Sequence, residues 1–222
     1  MTIKNNCMTL IKEIEELKVD NQLQQHITIC AATKYVGVTE IEALLEAGIN
    51  HLGENRTESF LEKYEALKEK NIIWHFIGTL QSRKVKLMIN EIDYLHSLDR
   101  LSLANEIQKH RMEPLSCFVQ VNGSFEDTKH GILPKDVKKF IYSLEKYDKI
   151  KVIGLMTMAK DTDDVLEIEQ TFHALKQLQL EISALNLDYA PCKELSMGMS
   201  NDYSIAIKEG ATFIRVGSKL FK

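Results

Sequence analysis

Short runs of β-branched and apolar residues alternate with longer segments of helical apolar spacing along nearly the whole chain, and this repeat leaves few folds open. Strands joined through helices run parallel, and a parallel sheet must be covered on both faces. After an amphipathic helix over about 3–23, strands are expected at about 26–32, 49–52, 72–77, 94–97, 115–121, 151–155, 194–196 and 211–216. Helices are expected between them at about 39–47, 54–70, 80–90, 99–111, 133–146, 163–186 and 202–209. Thr39 is the expected N-cap of the first of these and Gly48 its stop. Eight such strands in 222 residues predict an α/β chain folded as a single-domain (β/α)8 TIM barrel over residues 1–222. The additional N-terminal helix is expected to cover the barrel's N-terminal side. An open doubly wound sheet fits less well, because no G-x-G-x-x-G follows the first strand to admit a pyrophosphate.

Charge narrows the partners. With 28 basic and 32 acidic residues the net charge is −4, and no basic block is long enough to act as an arm for nucleic acid or an anionic membrane. Residues 1–23 alternate apolar and charged positions, so they hold neither a signal-peptide core nor a membrane span, and a cytoplasmic protein is expected. The four cysteines form no C-x-x-C pair and have no histidine at ligand spacing; no metal site is expected. Three prolines and no Gly/Ser-rich stretch leave no linker between independent units. The opening helix carries no long apolar stripe on its outer face, which favours a monomer.

In a barrel of this kind ligands sit at the C-terminal ends of the strands. Lys34 follows the apolar run 27–32, which places its ammonium near a pocket; partial desolvation would lower its pKa and free the amine to attack an aldehyde. Alone, such a lysine is more often an exposed loop residue. At the other end of the chain, Ser196-Met197-Gly198-Met199-Ser200 follows the seventh strand and Gly217-Ser218 the eighth, where this fold usually binds phosphate. A Schiff-base lysine facing a phosphate cradle matches pyridoxal 5′-phosphate (PLP), which carries an aldehyde and a phosphate on one ring. Arg215 is placed to donate to an unprotonated ring nitrogen, leaving the ring a weak electron sink; otherwise it is a surface ion pair. His75 reads either as an acid/base or as a histidine satisfied by hydrogen bonds at a strand end. Tyr35, next to Lys34 on an extended segment, would point away from it and so supplies no second base for racemization.

The motifs Ala31-Ala32-Thr33-Lys34, Gly53-Glu54-Asn55, Trp74-His75-Phe76-Ile77-Gly78 with Gln81, Gln120-Val121-Asn122, Lys129-His130-Gly131, Gly154-Leu155-Met156, Leu195–Ser200 and Arg215-Val216-Gly217 together resemble the pyridoxal phosphate homeostasis protein family, in family order from about residue 26 onward. The resemblance implies a barrel similar to the N-terminal domain of bacterial alanine racemase, with PLP held as a Schiff base on Lys34. It also implies a carrier or buffer in vitamin B6 homeostasis without established turnover, and PLP-dependent apo-enzymes as the class of recipient. By motif position Ser196, Ser200, Gly217 and Ser218 would hold the phosphate, Arg215 would face the ring nitrogen, and Asn55 and His75 would line the mouth. The chain departs from the family's usual Ser-Lys at Thr33-Lys34 and from its usual Thr at Ser218, keeping the hydroxyl both times. It also stops at Lys222, before the glycine with which the family usually continues, so the last turn is expected to fray. Two alternatives use the same lysine: a small PLP-dependent amino-acid racemase or lyase, and a cofactor-free Schiff-base aldolase acting on sugar phosphates.

Overall fold

Eight parallel strands pair each with the next and the last with the first, closing a barrel in sequence order. They are β1 (Thr28–Ala32), β2 (His51–Glu54), β3 (Ile73–Phe76), β4 (Tyr94–Leu98), β5 (Leu115–Gln120), β6 (Ile150–Met156), β7 (Glu194–Ser196) and β8 (Phe213–Val216). Around them lie α1 (Ile3–Asp20), α2 (Val38–Glu46), α3 (Thr57–Leu67), α4 (Val85–Met88), α5 (Leu101–His110), α6 (Pro134–Ser143), α7 (Val165–Ser183), α8 (Tyr203–Lys208) and α9 (Ser218–Phe221). This computed structural model describes residues 2–123 and 131–222, so Lys129 and His130 of the motif noted above lie outside the described residues.

The expected (β/α)8 barrel is therefore present, and the differences are local. β2 begins at His51 rather than at Ile49, because Ile49 belongs to the end of α2. Gly48, at φ +86°, donates its N–H to Leu45 O while Ile49 N–H reaches Leu44 O, both at 3.0 Å, a Schellman closure with the buried Ile49 as its apolar contact. The N-cap of α2 is Gly37 rather than Thr39, since the Glu40 carboxylate accepts the Gly37 N–H at 2.9 Å. The helix expected over 80–90 shrinks to a 3-10 turn, Ser82–Lys84, and the single turn of α4.

Two apolar layers hold the barrel. The larger fills the space between strands and helices; the smaller, Phe118, Met156 and Phe213 with Tyr94 and Ile153 against them, plugs the interior. α1 does not cover the N-terminal side. It joins the outer layer of helices, burying Asn6, Cys7, Leu10 and Ile14 against the neighbouring α2 and α9. A cavity of about 450 Å³ lined by Thr28, Tyr94, Glu194 and Phe213 is left among the strand starts. The last turn, expected to fray, is the short helix α9, and the Asn6 amide donates to Leu220 O at 3.0 Å and Lys222 O at 3.2 Å. On its outer side α1 exposes Met8 and Ile11 one turn apart, but the exposed Glu15 interrupts any longer apolar stripe. Among the described residues no helix is long and apolar enough to cross a membrane.

Candidate functional site

Lys34 lies in the turn that follows β1, closed by Val36 N–H to Thr33 O at 3.1 Å. The side chain is exposed, which corrects the expectation of a desolvated amine: nothing among the described residues walls it in. The turn also brings neighbouring side chains together where an extended strand would part them. Lys34 Nζ sits 4.8 Å from the centroid of the Tyr35 ring, so Tyr35 does not point away from it.

Beneath the turn is a buried polar knot. Thr33 Oγ1 and Lys63 Nζ both donate to Glu54 Oε1 at 2.6 Å, Lys63 Nζ also donates to Thr33 O at 2.7 Å, and Ser59 Oγ donates to Glu54 Oε2 at 3.0 Å. Glu54 and Thr33 are fully buried and Lys63 nearly so. The residue before Lys34 is thus anchored by both its hydroxyl and its carbonyl. Asn55, the last residue of the Gly53-Glu54-Asn55 motif, follows β2 and is partly buried.

On the other side of β1, the loops after β7 and β8 converge. Gly217 packs beside the Ala32 backbone, two residues before Lys34, and its N–H reaches Ser200 Oγ at 3.2 Å, as does that of Lys219 at 3.4 Å. Two backbone donors and a hydroxyl therefore gather at the start of α9 with Ser218 exposed beside them, the kind of group that receives an oxyanion. Ser196 does not join them. Gly198, at φ +91°, turns the chain between the two serines, leaving Ser196 fully buried in the barrel and Ser200 in the loop. A Cβ on Gly198 would lie 2.6 Å from that of Ala206, so Gly198→Ala combines backbone strain with overlap. Its expected cost is about 1–3 kcal/mol, to be read as a lowered midpoint in thermal or urea unfolding.

Ser196 belongs instead with Arg215. The guanidinium, 5% exposed, donates through Nη1 to Ser196 Oγ at 2.6 Å and through Nη2 to Thr157 O at 2.9 Å. Burial pushes its pKa down to about 10, which still leaves it charged at neutral pH. Ser196 Oγ also lies 2.8 Å from His96 Nδ1; His96 Nε2 lies 2.8 Å from His75 Nδ1, and His75 Nε2 lies 2.9 Å from His51 Nδ1. His75 accordingly sits inside the barrel, fully buried and stacked on Tyr94, rather than lining the mouth. Of its two readings, the histidine satisfied by hydrogen bonds is the one the geometry fits.

Burial, reinforced by the neighbouring imidazoles, holds His75 and His96 well below the ordinary histidine value of 6.5. The unfolded chain then binds more protons than the folded one once the pH drops beneath that value. Stability from keeping these rings neutral is complete above it and is lost as pH falls toward their folded pKa values. Each ring contributes at most about 1.4 kcal/mol per pH unit. Thermal unfolding is expected to show a steadily falling midpoint from about pH 7 to pH 5; a flat profile would mean the rings are already charged in the fold.

His51, His96, Thr157 and Lys63 were not among the residues singled out from sequence, and Glu54 stood there only as the middle of the Gly53-Glu54-Asn55 motif, with no role of its own. A signal for the histidines existed: in Trp74-His75-Phe76 and Leu95-His96-Ser97 an imidazole occupies the middle of successive strands. The four cysteines are all buried and free, with burial raising the thiol pKa of Cys30 and of Cys192 to about 12. Among the described residues, no group of three or more His, Cys, Asp or Glu could hold a metal ion.

The family of the alanine racemase N-terminal domain matches residues 17–222. The chain is 38% identical to the pyridoxal phosphate homeostasis protein of Aquifex aeolicus over 98% of this chain and 97% of that one. It is 33% identical to that of Pasteurella multocida over 100% and 97%. Among solved structures, PipY of Synechococcus elongatus with PLP bound superposes with a TM-score of 0.85 at 26% identity, covering 100% of both chains. An alanine racemase of Clostridium difficile shares the fold, with a TM-score of 0.77 at 16% identity over 98% of this chain and 56% of that one.

Proposed function

The chain belongs to the alanine racemase N-terminal domain family, among the pyridoxal phosphate homeostasis proteins, and from that premise we propose that it binds PLP at the C-terminal mouth of its barrel and serves intracellular PLP homeostasis. The observation that carries the reading is the convergence of three groups around the ends of β1, β7 and β8. The Lys34 amine, the Gly217 and Lys219 N–H groups with Ser200, and a buried guanidinium bonded to the Ser196 hydroxyl and the Thr157 carbonyl stand on neighbouring strands. This set fits the cofactor: donors for a phosphate, a cation for a ring nitrogen, an amine for an aldehyde. When bound, PLP supplies an aldehyde that condenses with a primary amine and releases water.

The roles divide accordingly. Lys34 is the attachment point; Ser200, Gly217 and Ser218 receive the phosphate, with the Lys219 N–H added to the expected set. Arg215 donates toward the ring nitrogen and cannot protonate it, which disfavours extensive carbanion chemistry. Ser196 supports Arg215 rather than the phosphate, and Asn55 borders the mouth while His75 does not. The Lys34 side chain stands open to solvent, which suits a holder that takes up and releases its cargo more than an enclosed enzyme site. We read residues 1–222 as one cytoplasmic, monomeric unit that passes PLP to PLP-dependent apo-enzymes without turnover of its own.

The test is solvent deuterium exchange by PLP-loaded protein against a panel of amino acids. No incorporation at the α-position is expected; exchange at catalytic rates would make the protein a racemase or lyase. Borohydride trapping at Lys34 by a sugar phosphate with no PLP present would point to an aldolase.

A further inference from the structure

The barrel interior holds a continuous line of polar contacts from Arg215 through Ser196, His96 and His75 to the half-buried His51 at the start of β2. Nothing in the binding reaction itself requires three imidazoles in a row. Their hydrogen bookkeeping, however, has a direction. Arginine only donates, so Ser196 Oγ must accept from Arg215 Nη1, and the hydroxyl's own hydrogen needs an acceptor. Besides Arg215, the group within hydrogen-bond reach of Ser196 Oγ among the described residues is His96 Nδ1. If that nitrogen takes the hydrogen, His96 carries its proton on Nε2 and donates to His75 Nδ1; His75 then carries its proton on Nε2 and donates to His51 Nδ1. Every contact in the line receives one hydrogen. The reverse orientation strands the Ser196 hydrogen in a buried site, at a cost of about 1–3 kcal/mol.

We propose that His96, backed by His75 and His51, is a positioning residue for Arg215: by taking the Ser196 hydrogen it fixes that hydroxyl as an acceptor and holds the guanidinium where the ring nitrogen of PLP meets it. The proposal rests on the PLP reading above for its ligand, but the direction of the hydrogen bonds stands without it. Packing supports a fixed geometry. His96 lies against Phe118 with ring centroids 4.4 Å apart, and His75 stacks on Tyr94 at 4.5 Å with 5° between the planes. Burial keeps both rings neutral, as the line requires, since an added proton would set two donors face to face. Arg215 is thereby restrained by neutral partners, with no carboxylate bonded to it among the described residues and Asp202 acting on it only through space.

Two measurements test this. Nitrogen-15 NMR of the cofactor-free wild-type protein at neutral pH should find His75 and His96 as neutral rings protonated on Nε2. A proton on His96 Nδ1, or a charged ring there, overturns the proposal whether or not PLP binds. The second compares His96→Phe, which removes the acceptor, with His96→Asn, whose side-chain oxygen can take its place. The Phe variant is expected to bind PLP about tenfold more weakly, the equivalent of one hydrogen bond. It should shift the visible band of the bound cofactor while borohydride still traps the adduct at Lys34, and the Asn variant should recover most of the affinity and the band. Wild-type affinity and spectrum in the Phe variant would overturn the proposal. Wild-type protein that takes up no PLP would defeat the functional reading instead, leaving the NMR result to decide the hydrogen-bond direction.

Discussion

Lys34→Ala is expected to abolish covalent PLP attachment outright. Wild-type protein mixed with PLP should show visible absorption that borohydride discharges, leaving the cofactor fixed to the peptide containing Lys34; the alanine variant should show neither. Phosphate donors around Ser200 and the guanidinium of Arg215 would remain, so residual binding is expected to be reversible and weak rather than absent. Because Lys34 is exposed, its removal leaves no cavity, and the unfolding midpoint should change little. A variant that still gave a trapped adduct on another lysine would remove Lys34 from the centre of the function.

The largest loss of stability is expected from Lys63→Met. Lys63 and Glu54 form an ion pair at 2.6 Å with side chains 10% and 0% exposed, and removing the cation leaves the Glu54 carboxylate buried without its counter-charge. Breaking such a pair costs about 3–5 kcal/mol. For a chain of this size that corresponds to a fall of roughly 6–20 °C in the unfolding midpoint. The double variant Glu54→Leu with Lys63→Met should regain a large part of the loss, because no charge is then left buried. If the single variant were as stable as wild type, the pair would have to be far better solvated than its geometry indicates. The same substitution releases Thr33 O, so slower trapping at Lys34 is expected to accompany the lost stability.

The barrel was legible because its strands are short apolar runs bounded by helix signals, and a boundary error such as that at Ile49 leaves the closure unchanged. Lys34, Arg215 and the β7 and β8 loops were legible because strand ends in this fold converge. What escaped depends on facing and depth. Lys63 looks like any solvent lysine on a charged helix, and only the packing of α3 over the β1 turn buries it. Ser196 and Ser200 lie in one short motif, yet a single left-handed glycine between them sends one into the barrel and the other into a loop. The His51–His75–His96 line spans three strands, and its register follows from strand stagger that spacing along the chain does not reveal.

The first and last helices, α1 and α9, are clasped together. Glu13 of α1 pairs with Lys219 of α9 at 2.6 Å, and Asn6 grips the carbonyls of Leu220 and Lys222, so the helix that offers its first N–H groups near Ser200 is braced by residues of α1. Loosening either helix would therefore loosen the anion-receiving loop, and an occupying phosphate would in turn shield α1 and α9 from proteases.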